Sequence, residues 1–164
     1  MANIAAITVT GVLRKPITQQ GILQGQLLYF CLIEGMSVIL LSDEKDTKEL
    51  EHWLMVEGMN RHNKIVPTDS ITDRLPPAER RLRQLNSLRG QGAISFVIDA
   101  DPETCANLVN NGYNTLTFTH ANYSLPSWRP DYESGPTPWD SLVATVNYSN
   151  TMRALDKRNE EDPH

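Results

Sequence analysis

Hydroxyl and carboxylate side chains follow four segments that the sequence predicts to be β-strands. The first of these segments ends in two threonines, and the third ends in two aspartates. A threonine hydroxyl needs a neighbouring base to become a nucleophile, and it is too weak an acid to protonate a leaving group. No base accompanies the two threonines in the sequence. The residues at the strand ends are Thr8, Thr10, Ser42, Asp43, Asp99, Asp101, Thr119 and His120.

Strand and helix patterns alternate along residues 3–120 with short connections. This alternation predicts one α/β domain, a three-layer Rossmann-like fold with a central parallel sheet and helices on both faces. Right-handed crossovers would place the strand ends at one edge, where such folds bind ligands. The apolar spacing predicts strands at 3–10, 37–43, 64–67, 93–101 and 114–120, and helices at 20–33, 46–58, 78–89, 102–111 and from about 138.

The order of these segments resembles the haloacid-dehalogenase-like superfamily, whose members are mostly phosphatases. That family begins with Asp-X-Asp-Gly-X-(Thr/Val)-Leu, and residues 8–13 read Thr-Val-Thr-Gly-Val-Leu. Its second motif is a strand ending in Ser or Thr, as in VILLSD with Ser42. Its fourth motif is an apolar strand ending in acidic residues, as in FVIDAD with Asp99 and Asp101. Its third motif is a basic residue on the preceding helix, and Arg80, Arg81 and Arg83 all qualify.

The resemblance implies a degenerate member of the family. Its first aspartate attacks phosphorus and its second is the acid/base, and these positions are held by Thr8 and Thr10. It further implies phosphate-binding candidates in Ser42, Arg80 and Arg81. Asp99 and Asp101 would be ligands of a weak Mg²⁺ site, weak because one carboxylate is missing. We therefore expect no catalytic residue and no cofactor, beyond weak Mg²⁺ binding.

Each assignment also has a structural alternative. The two threonines could simply fit the sheet as β-branched residues. Asp101 could cap the following helix, with Asp99 as a solvated strand end. Ser42 and Asp43 could form a turn and cap, and His120 could be a surface residue rather than a general base. The basic residues of the third predicted helix and its flanks could be a solvated face or a phosphate or nucleic-acid contact; they are Arg74, Arg80, Arg81, Arg83 and Arg89.

The two connections that could carry a cap domain, 14–20 (RKPITQQ) and 67–80 (PTDSITDRLPPAER), are too short for one. The resemblance therefore implies a capless fold, in which the strand-end edge is open to water. An open edge suits a macromolecular partner better than a small metabolite that must be enclosed.

Composition excludes several classes of protein. The chain has 164 residues, and 40% of them are apolar. Its formal charge of −5 disfavours a large electrostatic interface with nucleic acid. Cys31 and Cys105 lie in apolar helical patterns, which predicts buried, reduced thiols. Neither a leader nor a membrane-spanning stretch is recognisable. We expect a cytoplasmic protein with no membrane partner.

The C-terminal part differs in composition from the rest. Residues 1–146 are interpreted as one domain that includes a Trp/Pro-rich segment at 121–146, and residues 147–164 as a charged, frayed tail. The segment WRPD…PWDSL is similar to small proteins of actinobacteria and their phages. A phage origin would imply the host-cell cytoplasm or the virion. Trp128, Arg129 and Trp139 could form an interaction surface or pack onto the sheet.

Three functions follow as hypotheses. The first is a catalytically inactive phosphatase-like scaffold that binds a protein partner or itself. The second is a Mg²⁺-dependent phosphohydrolase acting on nucleotides or nucleic-acid ends by an atypical route through Asp99 and Asp101. The third is a non-catalytic phosphate or nucleotide sensor that uses Ser42 and the arginine helix. Nucleic acid is a less favoured partner than protein.

Overall fold

The computed structural model describes residues 3–16 and 18–119, together with seven single positions between 143 and 155. These residues contain five strands and four α-helices, and a short 3₁₀ helix lies at Thr72–Arg74. In chain order the elements are β1 (Asn3–Thr8), α1 (Leu23–Leu32), β2 (Ser37–Leu41), α2 (Lys48–Val56), β3 (Lys64–Val66), α3 (Pro77–Asn86), β4 (Ala93–Asp99), α4 (Pro102–Asn110) and β5 (Thr115–Thr117).

The five strands form one parallel sheet in the order β3-β2-β1-β4-β5. The first strand is central, with Thr8 opposite Leu41 of β2 and Ile7 opposite Ile98 of β4. The chain moves outward from β1 to β3 and then crosses back to β4. The strand order therefore reverses between β1 and β4, which is where open α/β sheets bind ligands.

Alternating side chains of the strands form two apolar cores, one on each face of the sheet. On one face Ile7, Leu40 and Ile98 pack with residues of α1 and α2. On the other face Ala6 and Val97 pack with residues of α3 and α4. The three-layer Rossmann-like prediction is confirmed. Within the described residues, neither the connection after β1 nor the one after β3 carries a cap domain.

The orientation of helix α1 is set by its contact with the turn after β1. Gly25 and Tyr29 are its buried residues, and a Cβ on Gly25 would lie 1.7 Å from the carbonyl oxygen of Val12. This close approach fixes the inner face of the helix. The prediction that Cys31 is buried is wrong, because its side chain lies on the outer face, whereas Cys105 is buried as predicted. The other exposed apolar residues of this face are Leu23, Leu27 and Phe30.

Smaller differences concern single side chains. Leu50 and Leu54 of α2 are buried, whereas Val56 is 70% exposed, because it lies on the outer face at the end of the helix. The described positions between 143 and 155 are helical, which agrees with the helix predicted from about 138, but Val143 is exposed, although the apolar spacing of that helix predicts an inward position for it. No helix among the described residues is long and apolar enough to cross a membrane. Three predicted interaction residues, Trp128, Arg129 and Trp139, and also His120, lie outside the described residues.

Candidate functional site

A tight turn carries the chain from β1 into the candidate site. The amides of Leu13 and Arg14 donate to the carbonyl of Val9 at 2.9 and 3.2 Å, and the amide of Gly11 donates to the carbonyl of Arg14 at 2.8 Å. Gly11 has a φ of +92°, a conformation that favours glycine. The turn leaves Thr8 buried at the end of the strand and Thr10 partly exposed beside it.

Asp99 lies at the centre of the site and is buried. The hydroxyl of Thr8 donates to its Oδ2 atom at 2.5 Å, and the amide of Asp101 donates to its Oδ1 atom at 2.8 Å. A carboxylate therefore stands beside Thr8, so the sequence-based premise that no base accompanies this residue is wrong. The alternative that Asp99 is a solvated strand end is also wrong.

Arg81 of α3 joins the two acidic groups of the site. Its Nη2 atom lies 2.6 Å from Oδ1 of Asp43, and its Nε atom lies 3.5 Å from Oδ2 of Asp99. Arg80 also binds Asp43, at 2.8 Å. The arginines of α3 therefore do not form one solvated basic face. Arg80 and Arg81 are bound by the carboxylate of Asp43, whereas Arg83, the third candidate, is exposed.

Burial and charge act in opposite directions on the two aspartates. Burial alone would raise the pKa of Asp43, but Arg81 and Arg80 outweigh it and hold that pKa below its usual value. Burial raises the pKa of Asp99 above its usual value, and Arg81 and the Thr8 hydroxyl offset only part of that rise. The site therefore favours a charged Asp43 more than a charged Asp99.

Two predicted site residues serve local structure. Asp101 caps α4, because its Oδ2 atom accepts from the amide of Thr104 at 3.0 Å and from its hydroxyl at 2.6 Å. The cap alternative for Asp101 is confirmed. The hydroxyl of Ser42 accepts from the amide of Glu44 at 3.0 Å, which is a turn contact. A phosphate-binding role for the buried Ser42 stays a prediction.

A cavity of about 300 Å³ opens at the strand ends, bounded by the turn after β1 and the beginnings of α3 and α4. Both Thr8 and Thr10 line it. Its charged lining consists of one arginine and four carboxylates, namely Arg81, Asp43, Asp99, Asp101 and Glu103.

These residues do not fit a Mg²⁺ ion well. Magnesium takes oxygen ligands, usually one or two carboxylates with water and substrate phosphate. Here Asp99 already accepts from Thr8 and the Asp101 amide, and Asp101 is occupied as a helix cap. Over the ranges that the structure describes, no three acidic, histidine or cysteine side chains are grouped so as to hold a metal ion.

Sequence reasoning missed Gln84, which supports Arg81 from the next turn of α3. Its Oε1 atom accepts from Nη1 of Arg81 at 2.9 Å, and its Nε2 atom donates to the carbonyl of Ser42 at 2.8 Å. The signal was present, because Arg81, Gln84 and Leu85 follow i, i+3, i+4 spacing, which places two polar residues on the apolar face. It also missed the buried Arg14, which pairs with Glu44.

Comparison with known proteins supports the fold only. No protein-family model and no curated protein matches the chain. One similar solved chain comes from the structure titled "Structure of the Pnkp1/Rnl/Hen1 RNA repair complex", with a TM-score of 0.60 and 13% identity. The match covers 75% of this chain and 44% of that chain, so the aligned part spans less than half the length of that chain.

Proposed function

We propose that this chain is a capless haloacid-dehalogenase-like scaffold that lacks the phosphatase reaction and acts by binding a protein partner or a second copy of itself. The order of the four motif-like segments supports the family assignment. So does the topology, because the ends of β1 and β4 meet where the strand order reverses. Arg81 stands beside Asp99, which agrees with the third and fourth motifs sharing one site.

One observation is the main support for the loss of the phosphatase reaction. The charged groups at the centre of the site bind one another. Arg81 contacts both Asp43 and Asp99, and Arg80 contacts Asp43. A phosphate group would have to displace Asp43 from these arginines before it could use them. A cation would have to displace Arg81 and the Thr8 hydroxyl from Asp99. Buried ion pairs that lose one member leave an uncompensated charge, which is costly.

The threonines at positions 8 and 10 also argue against the phosphatase reaction. A phosphatase of this family requires carboxylates at positions 8 and 10, and neither hydroxyl can form an aspartyl-phosphate. By comparison with other hydrolases, loss of the nucleophile lowers turnover by on the order of 10⁴ to 10⁶. The scaffold is retained because the sheet and its two cores do not depend on these two side chains being acidic.

The character of the cavity supports a macromolecular partner. Its lining has four carboxylates and one arginine, so a group that enters from a partner is expected to be neutral or positively charged. The cavity is bordered by the beginnings of α3 and α4 and by the turn after β1, and no cap covers it within the described residues. Phosphorylated metabolites are disfavoured by the same charges.

The test is turnover of a generic phosphate ester by the purified chain with Mg²⁺. We expect no turnover above that of the Asp99→Asn variant. Glu103→Gln is the matched control, because Glu103 lines the same cavity without contacting the Arg81 network. A contaminating phosphatase would act equally in all three preparations. Turnover that persists in Glu103→Gln and disappears in Asp99→Asn would contradict the proposal.

The second candidate function is a phosphohydrolase of atypical mechanism, on nucleotides or nucleic-acid ends. It is favoured by the 2.5 Å hydrogen bond from Thr8 to Asp99, since a hydroxyl beside a carboxylate of raised pKa is an arrangement for proton transfer. It predicts turnover that is lost in both Thr8→Val and Asp99→Asn. Nucleotides and short nucleic acids with 3′ or 5′ phosphates are the substrates to include.

The third candidate, a phosphate or nucleotide sensor, predicts a ligand-dependent rise in melting temperature. We expect no shift with millimolar phosphate or nucleotide, because Arg80 and Arg81 are already engaged by Asp43. A rise that is abolished in the Arg80→Ala variant would favour the sensor over the inactive scaffold.

A further inference from the structure

Helix α1 exposes an apolar stripe to solvent. Leu23, Leu27 and Phe30 are 63%, 54% and 38% exposed, and they lie at i, i+4 and i+7 on one face of the helix. Cys31 is exposed on the same side. The helix contains no charged residue, although 21% of the chain is charged. A helix that is solvated on its outer face normally carries charges there.

A second stripe of the same kind lies near the C-terminus. The described positions between 143 and 155 are helical, and the hydroxyl of Thr151 donates to the carbonyl of Asn147 at 3.0 Å, a contact over one helical turn. Tyr148, Met152 and Leu155 are exposed and also lie at i, i+4 and i+7. Residues 141–152 contain no charged residue. The apolar side chains of both stripes therefore gain nothing from contact with water.

We propose that the C-terminal helix docks along the outer face of α1 in the same molecule, with the two stripes in contact. The first and last residues of each stripe are seven positions apart, which is about 10 Å at the α-helical rise of roughly 1.5 Å per residue. The stripes are therefore equal in length as well as in chemistry. Side-by-side packing of two helices would remove both from water.

Two facts favour the chain's own helix over a second copy. Three side chains on two helical turns cannot supply the ~800 Å² per partner of a standard stable interface. A tethered helix needs less area, because the linker keeps its effective concentration near the millimolar range. The number of residues from 120 to 142 is 23, and a chain of that length spans at most roughly 75 Å.

The reactivity of the Cys31 thiol can be used to measure this docking. It lies one turn beyond Leu27 on α1 and is exposed when the C-terminal helix is not docked. Cys105 is buried, so a thiol reagent added to the folded protein reacts with Cys31. The labelling rate of Cys31 therefore measures how much of the time α1 is covered.

The experiment compares labelling rates of the intact chain and of Met152→Glu, which places a charge in the C-terminal stripe. We expect the variant to label about tenfold faster, the change that ~1.4 kcal/mol of docking free energy would give. Leu155→Glu should have the same effect. Met55→Glu is the matched control, because Met55 is also an exposed methionine but lies on α2, and its rate should equal that of the wild type.

Equal rates in the wild type and both C-terminal variants would overturn the proposal. Protection that grows with protein concentration would overturn it as well, since a second copy would then be the occupant. Urea unfolding of each variant separates a loss of docking from a loss of the fold. This test is independent of the phosphate-ester assay, so either result can fail while the other stands.

Discussion

The strand-end site and the outer face of α1 are opposite in character. At the strand ends, polar groups are buried, and they bind one another: Asp99 contacts Thr8 and Arg81, and Arg81 contacts Asp43. On α1, apolar groups are exposed, and residues such as Leu23 and Leu27 face water. A phosphatase would show the reverse at its site, with charges left available for metal and phosphate.

This difference separates groups that stabilise the fold from groups that are still available for contact. Internal pairing connects α3 to the ends of β2 and β4, because Arg81 contacts both Asp43 and Asp99. Covering exposed apolar surface, by contrast, is favourable by roughly 25 cal/mol for each Å² removed from water. We therefore expect the outer face of α1 to be covered in the folded protein, whereas the paired groups of the site contribute to the stability of the fold.

The largest loss of stability is expected when Arg81, at the centre of the site, is removed. Arg81→Ala would leave Asp43 and Asp99 without their shared cation, and we expect the free energy of unfolding to fall by ~3–5 kcal/mol, as when a buried ion pair loses one member. Arg83→Ala, at an exposed position of the same helix, should change it by less than ~0.5 kcal/mol. Urea denaturation measures both. A loss below about 1 kcal/mol for Arg81→Ala would show that the pairing does not hold the site together.

The next effect contrasts the two faces of α1. Gly25→Ala would place a methyl group 1.7 Å from the Val12 carbonyl oxygen, so the helix must move away from the turn after β1. We expect a loss of ~1–3 kcal/mol or more from this overpacking, measured by thermal or urea unfolding. Gly35→Ala is the control, because its added Cβ meets nothing within 4 Å. A similar stability for both variants would contradict the observed packing of α1.

A smaller loss is expected from the hydroxyl that faces Asp99. Thr8→Val keeps the shape of the side chain and removes the donor, and we expect a cost of ~1–3 kcal/mol because Asp99 is left less satisfied. Thr10→Val is the paired comparison, since Thr10 is partly exposed and should lose less than ~0.5 kcal/mol. If Thr10→Val proved as costly as Thr8→Val, the hydrogen bond to Asp99 would not be the cause.

The pH dependence sharpens the contrast within the site. Asp43 has a lowered pKa in the folded state, so its stabilising effect is complete above its ordinary pKa and is lost as the pH falls through the lower folded value. As the pH is lowered below the ordinary pKa of an aspartate, the unfolding free energy of the wild type should therefore fall more steeply than that of Asp43→Asn. Parallel curves for the two proteins over this range would contradict the ion pair with Arg81 and Arg80.

The sequence predicts the fold well because the fold depends on local patterns. Apolar runs such as 93–101 and helical spacing in α2–α4 identify the elements, and their alternation dictates a parallel sheet. Topology then brings the ends of β1 and β4 together, so the location of the site follows. Only the bounds shift: β4 ends at Asp99, and α1 begins at Leu23.

The contacts within the site and the orientation of α1 depend on distant residues. The pairing of Thr8 with Asp99 joins residues 91 positions apart, and nothing near Thr8 in the sequence indicates it. Helix α1 is apolar on almost every side, so its periodicity does not select the inner face; the contact of Gly25 with Val12 does. For the same reason, Cys31 was expected to be buried and is exposed.

Isothermal titration of the purified chain with Mg²⁺, alone and with inorganic phosphate, measures most directly whether the charged groups of the site are already satisfied. We expect no binding heat at millimolar concentrations of either ion, because Arg81 and Thr8 occupy Asp99 and the arginines are held by Asp43. Saturable binding of Mg²⁺ that disappears in the Asp99→Asn variant would contradict the inactive-scaffold proposal.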